Sequence, residues 1–210
     1  KLVSYLTLPN KKHNIPLVLC VHGGPFNIRD SYNFNIETQW LVNRGYGVLR
    51  VNYRGSGGFG KKHEIAGYNE IGRKMQNDLT DSVKWAIDKN IANPNKIAIY
   101  GGSYGGYAVL AGLTFTPNLY ACGVDKVSMS DLRILLENIP KYWHLVKKEL
   151  YLKMGNLNDK KLNEKISPLF HANKIKVPLL IVQGKNDPRV KKEQSDLMVK
   201  EIRKNNISVT

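Results

Sequence analysis

Cysteine is scarce in this sequence, with two thiols in 210 residues. Two cannot build a disulfide framework, so a reducing compartment is favoured and the cytoplasm is the expected location. Cys20 and Cys122 each sit inside an apolar run, Leu17 to Val21 and Ala121 to Val127, where a free thiol packs as a small hydrophobe. No apolar run approaches the ~18 residues of a membrane span, so no membrane partner is expected. The composition (42% apolar, 23% charged) and the lack of repeats or low-complexity linkers exclude collagen-like, coiled-coil and wholly disordered chains. There is no initiator methionine and no signal-peptide core either. The opening residues Lys1-Leu2-Val3-Ser4-Tyr5-Leu6-Thr7-Leu8-Pro9 read as the middle of a strand, as in a piece of a longer chain.

Acidic residues are also few: 17 Asp and Glu against 32 Lys and Arg, a net charge of +15. Such a balance attracts polyanions. Here, however, the basic residues are scattered, and none of the stretches interleaves them with aromatics at stacking spacing. Nucleic acid is therefore not expected as a partner, and the lysine-rich stretch Lys141–Lys165 reads as a solvated face.

What is present is a succession of short apolar runs. Leu17–Val21, Val48–Val51, Lys96–Tyr100, Cys122–Val127 and Leu179–Val182 are rich in Val, Ile and Leu, the pattern of strands buried on both faces of a parallel sheet. Between them, Met75, Leu79, Val83, Ala86 and Ile87 form one helical stripe, closed by a turn at Asn93-Pro94-Asn95. A second helical pattern runs from about Gln194 to Lys204. Strand alternating with helix predicts an α/β fold, a mostly parallel sheet flanked by helices, over residues 1–210.

The chemistry concentrates after the third of the five runs. Gly101-Gly102-Ser103-Tyr104-Gly105 satisfies G-x-S-x-G between an apolar strand and an Ala/Leu-rich helix start. Glycines on either side of the serine let neighbouring backbones approach, and the serine then projects above the sheet at a helix N-terminus. That end offers free N–H groups where an oxyanion develops, the Tyr104 N–H first among them. After the first run comes His22-Gly23-Gly24-Pro25, whose Gly24 N–H is the candidate second donor. Asp187, in the polar turn Gly184-Lys185-Asn186-Asp187-Pro188-Arg189-Val190, has the place of a carboxylate that orients a histidine. The alternative for Asp187 is an ordinary Asx turn. A base should follow Asp187, and none does: His13, His22, His63, His144 and His171 all precede it. A serine hydroxyl without a base is a poor nucleophile at neutral pH.

Taken in order, these residues resemble the catalytic domain of the prolyl oligopeptidase family (peptidase family S9), in its acylaminoacyl-peptidase and dipeptidyl-aminopeptidase-like branch. His22-Gly23-Gly24-Pro25 is similar to that family's HGGP. Asn43-Arg44-Gly45-Tyr46 and Val51-Asn52-Tyr53-Arg54-Gly55-Ser56 resemble its RGY and NYRGS stretches. Tyr100 to Tyr107, Ser167-Pro168-Leu169-Phe170-His171 and Gly184 to Val190 match its elbow and two later landmarks. The resemblance implies an α/β-hydrolase fold lacking its last strand, loop and helix, with the family's N-terminal β-propeller before Lys1 and its triad histidine beyond Thr210. It implies Ser103 as nucleophile, Asp187 as triad acid, Gly24 and Tyr104 as oxyanion donors, short peptides as substrates, and no cofactor. Without the histidine, the alternatives are an inactive remnant or one part of a split hydrolase completed by a second chain. An esterase of the same fold is a further alternative.

Arg54 is a candidate for binding a substrate carboxylate, or else pins its own loop to nearby carbonyls. Tyr142 and Trp143 line a substrate pocket, or else pack in the core. Gly55-Ser56-Gly57-Gly58-Phe59-Gly60 has the spacing of a dinucleotide-binding loop, but the polar, glycine-interrupted residues after it argue against the helix that such a loop opens. His63-Glu64 lacks the second histidine of a zinc-protease motif, so no metal is expected.

Overall fold

The computed structural model describes residues 1–139 and 141–210, and among these the side chains of Lys141, His144, Leu145 and Val146 lie outside the described ones. The strands are β1 (Ser4–Thr7), β2 (Ile15–Val21), β3 (Gly47–Val51), β4 (Ala92–Gly102), β5 (Cys122–Lys126) and β6 (Leu179–Val182). The helices are α1 (Ile36–Val42), α2 (Lys61–Ile65), α3 (Lys74–Asp88), α4 (Tyr104–Phe115), α5 (Leu132–Glu137), α6 (His144–Met154), α7 (Lys160–Ile166) and α8 (Lys192–Arg203). Single 3₁₀ stretches occupy Lys141–Trp143 and Pro168–Lys174. All five apolar runs are strands, and the N-terminal segment forms β1.

The strands make one sheet in the order β1-β3-β2-β4-β5-β6. Every neighbouring pair is parallel except β1 with β3. Side chains alternate across such a sheet. Leu17, Leu19 and Val21 of β2, with Ile97 and Ile99 of β4, therefore point to one face, where they meet Leu79 and Val83 of α3 and Ala108 and Val109 of α4 in the main core. The other face carries Val18, Cys20, Tyr100, Val124 and Lys126, with α1 laid over its β3 side. Toward β6 that face is open, leaving Leu180 and Val182 exposed. Helix α4 is apolar all round and buried from Tyr104 to Thr114, because the sheet covers one side and α3 and the 168–174 turn cover others.

Two expectations need correcting. The Asn93-Pro94-Asn95 turn lies within the span of β4 rather than before it. The register slips there, with Ile15 opposite Ala92 but Leu17 opposite Ile97, so the turn is a bulge, closed by the Asn95 N–H donating to Asn93 Oδ1 at 2.9 Å. The stretch 141–165 is not uniformly solvated either. Lys153 is buried, with Nζ 3.3 Å from Glu64 and 2.6 Å from Glu149 and above the rings of Phe26 and Tyr68. Burial works against its charge, but the two carboxylates outweigh that and hold its pKa above the ordinary lysine value.

One close approach carries the whole arrangement. A Cβ on Gly105 would lie on the Val21 carbonyl oxygen of β2 and 3.0 Å from its carbon. Neither neighbour can give way, since both are backbone. Gly105→Ala is therefore expected to lower stability by about 2–3 kcal/mol, as overpacking does, and to be read as an earlier urea midpoint. An unchanged midpoint would show that α4 can slide off β2 without cost.

Candidate active site

The site is built at the carboxyl ends of the parallel strands, where an open α/β sheet binds its ligands. Strand β4 ends at Gly102 and α4 begins at Tyr104, so Ser103 makes the whole turn. Its backbone stands at φ 57° and ψ −119°, a strained conformation for a residue with a side chain. The turn is held by the Ser103 N–H on Lys126 O at 2.9 Å and the Tyr107 N–H on Ser103 O at 3.0 Å. Its tightness explains the glycines. A Cβ on Gly101 would come within 2.6 Å of Gly105 backbone, and one on Gly106 within 2.8 Å of Ser128 Cβ. The Ser103 side chain is exposed and caps nothing. The Tyr104 N–H is the first of the helix and donates to no group among the described residues. Its ring, in contrast, is buried, with the hydroxyl on Met75 Sδ at 3.8 Å.

The loop after β2 crosses directly in front of this turn. The Cβ position of Gly23 is 3.5 Å from Ser103 Cβ and 3.2 Å from Gly102 O. Gly24 follows at φ 120°, a conformation glycine tolerates, and its N–H likewise donates to no described group. His22 is turned away from the serine. Its ring stacks on Tyr53 at 4.4 Å between centroids, with Nδ1 2.7 Å from Gly23 O and Nε2 3.0 Å from Ser56 Oγ. Burial holds its pKa below the ordinary histidine value, against the Gly23 carbonyl and Asp30, which raise it.

Asp187 lies in the turn after β6, half-buried, with Oδ1 accepting the N–H groups of Arg189 at 2.8 Å and Val190 at 2.9 Å. It thus makes an Asx turn at the carboxyl end of β6. Strands β4 and β6 are separated only by β5, so the two turns start ~10 Å apart at the usual strand spacing. An imidazole with a hydrogen bond at each nitrogen spans ~7–8 Å. Among the described residues no histidine contacts either side chain. His63 Nε2 is 3.1 Å from Tyr53 O, His171 Nε2 is 2.9 Å from Glu164 O, and His13 is exposed.

Arg54 is held by Asp78, with Nε on Oδ2 at 2.8 Å and Nη2 on Oδ1 at 2.6 Å. The two-pronged hydrogen bond raises its pKa. Its loop is thus pinned by a carboxylate of α3 rather than by carbonyls. Tyr142 is exposed and Trp143 half-buried, their rings edge to face at 6.3 Å. The Arg189 guanidinium lies 4.9 Å from the Trp143 ring centre, which joins this segment to the Asp187 turn. The glycine-rich stretch 55–60 does open a helix, α2, but of five residues with none buried. It packs on the HGGP loop, Gly57 N–H donating to Ile28 O at 2.9 Å. No cluster of three metal-binding side chains occurs among the described residues, and no helix there is long and apolar enough to cross a membrane.

One buried group beside the Ser103 turn carries no signal in the sequence. Asp125 of β5 is 1% exposed and faces Gly106 in the first turn of α4. Ser128 Oγ donates to its Oδ2 at 2.5 Å, while Oδ1 has no partner. Burial pushes its pKa up to about 7, against the smaller lowering by Ser128.

The model of the prolyl oligopeptidase family matches residues 32–210. This chain belongs to that family. It is 50% identical to dipeptidyl aminopeptidase BIII of Pseudoxanthomonas mexicana over 222 aligned positions, covering 100% of the chain and 32% of that protein. Dipeptidyl peptidase family member 6 of Caenorhabditis elegans is 48% identical over 92% of the chain and 27% of its own length. Among solved structures, a puromycin-hydrolyzing peptidase of Mycobacterium tuberculosis superposes with a TM-score of 0.91 at 29% identity, over 100% of this chain and 33% of that one. The fold is therefore the α/β-hydrolase fold of this family, and the chain spans about a third of the length of the relatives it matches.

Proposed function

We propose that the intact protein is a serine peptidase that hydrolyses short peptides through an acyl-enzyme on Ser103. The observation that carries this reading is the elbow itself: an exposed hydroxyl on a strained turn, against two main-chain N–H groups that donate to nothing else among the described residues. Ser103 Oγ attacks the scissile carbonyl, forming the O–C bond, while its proton passes to a histidine supplied from outside residues 1–210. The Gly24 and Tyr104 N–H groups receive the negative charge that builds on the carbonyl oxygen. The C–N bond then breaks, the histidine proton leaves with the amine, and water reverses the sequence to release the acid. Asp187, through the carboxylate oxygen not engaged by Arg189 and Val190, holds that histidine in the required tautomer. The names of the dipeptidyl aminopeptidase relative and of the second, dipeptidyl peptidase relative support short peptides as substrates.

A fluorophosphonate probe tests this. In the intact protein it is expected to modify Ser103, located by peptide mapping. Residues 1–210 alone are expected to react at least ~10³-fold more slowly, for want of the base. Modification elsewhere, or none, overturns Ser103 as nucleophile. Equal rates overturn the histidine from outside.

A further inference from the structure

The Gly24 N–H, the oxyanion donor of the HGGP loop, belongs to the same rigid peptide plane as the Gly23 carbonyl. Whatever fixes that carbonyl therefore fixes the direction of the donor. In a trans peptide the two point opposite ways, so a hydrogen bond to the carbonyl from one side leaves the N–H aimed to the other. The only side chain placed to make that bond among the described residues is His22, with Nδ1 2.7 Å from Gly23 O. At that separation a bare Nδ1 lone pair would repel the carbonyl oxygen, so the proton sits on Nδ1.

The ring cannot easily turn out of this position. It is stacked on Tyr53, which is itself fully buried. The Tyr53 hydroxyl donates to the His22 backbone carbonyl at 3.0 Å. At its far edge Nε2 faces Ser56 Oγ at 3.0 Å, and Ser56 is fully buried as well. Burial disfavours the charged ring, so with its proton on Nδ1 the ring turns the Nε2 lone pair toward Ser56 Oγ, whose hydroxyl also donates to Tyr53 O at 2.7 Å. Tyr53 O, which accepts from Ser56, also lies 3.1 Å from His63 Nε2. Each polar atom of the cluster has a partner in this arrangement. The NYRGS segment thereby acquires a role, since its Tyr53 and Ser56 hold a histidine that holds a peptide plane. The bond on the Gly23 carbonyl also polarises that peptide and makes its N–H a better donor.

We propose that His22 is the positioning residue of the oxyanion site, acting through its Nδ1–H bond to Gly23 O to aim and polarise the Gly24 N–H toward the carbonyl attacked by Ser103. This rests on the serine-peptidase reading and adds to it a residue that does not touch the substrate.

The test uses the intact protein and a dipeptide p-nitroanilide. His22→Leu keeps the bulk and removes the donor, and is expected to lower kcat by about 10²-fold with KM changed less than about threefold, because the donor is felt in the transition state. His22→Asn sets an amide N–H close to the place of Nδ1 and is expected to recover at least tenfold of that loss. His22→Gln carries its N–H further out, near the place of Nε2, and is expected not to. Equal kcat for His22→Asn and His22→Gln overturns the proposal, and this comparison decides it if His22→Leu does not fold. A loss confined to KM or to the unfolding midpoint also overturns it, since that is what a merely structural histidine would show. The wider reading is separable: if Ser103→Ala abolishes activity while His22→Leu retains wild-type kcat, only the positioning role falls.

Discussion

Replacing Ser103 with alanine in the intact protein is expected to lower kcat/KM toward a dipeptide p-nitroanilide on the order of 10⁵-fold or more, with the unfolding free energy changed by less than about 0.5 kcal/mol. The two halves of this expectation come from one fact. The side chain is exposed and makes no capping hydrogen bond, so the fold does not use it. The strain of the turn lies in the backbone at φ 57°, and alanine bears it as serine does. What alanine lacks is the oxygen proposed to form the acyl bond. The proposed oxyanion donors remain in place, so a residual rate above that of water is expected to persist. Steady-state kinetics and urea unfolding on the same preparation check both halves. Retention of full activity would end the serine-peptidase reading, and loss of stability equal to a core substitution would mean that the hydroxyl has a structural partner.

Asp125→Asn is expected to make the chain more stable, and increasingly so as pH rises. The carboxyl is buried against the first turn of α4, with only the Ser128 hydroxyl for company and no charged group facing it. Its folded pKa of about 7 stands above the unfolded value of ~3.9, so the folded state holds the proton more tightly. Below pH ~4 both states are protonated and the group has no effect. Between pH ~4 and ~7 the unfolded chain ionises freely while the folded one resists, and stability falls. Above pH ~7 the penalty levels off, on the order of 4 kcal/mol. Asparagine cannot ionise and escapes it. The difference in unfolding free energy between Asp125→Asn and the parent is expected to grow by about 2–3 kcal/mol from pH 5 to pH 8. A difference that stays constant over that range would show the carboxylate to be stabilised by groups other than Ser128.

The expected strands and the elbow were legible because their cause is local. Runs such as Leu17–Val21 are apolar at every position, since both faces of a central strand are covered, and four to seven such residues admit no helix of ordinary length. The stripe from Met75 to Ile87 appeared as α3 for the same kind of reason, its buried side recurring every three to four residues. Helix α1 was illegible. It has seven residues, Ile36 and Trp40 stand exposed on it, and its start is set by Asn35 Oδ1 accepting the Thr38 N–H at 2.8 Å rather than by an apolar face. Helices α5 and α7 are shorter than two full turns and carry no sustained period.

At the site, the spacing of glycines around residues 23–24 and 101–106 already stated where backbones must touch, because only a missing Cβ permits those approaches. Which charges neutralise one another was a different matter. Asp78 and Arg54 are 24 residues apart, and Glu64 and Lys153 are 89. Nothing in the neighbourhood of any of the four announces its partner. Likewise Asp125 reads, beside Lys126, as one of two charged residues in an otherwise apolar run until α4 is laid across β5 and closes off water. From the order of residues alone came the layers of this protein, the serine elbow and the bends that need glycine, all governed by contacts along the chain. The protonation of Asp125, the burial of Lys153 and the ring of groups around His22 were decided only when distant segments met, because electrostatic energy depends on distance through space and on the exclusion of solvent.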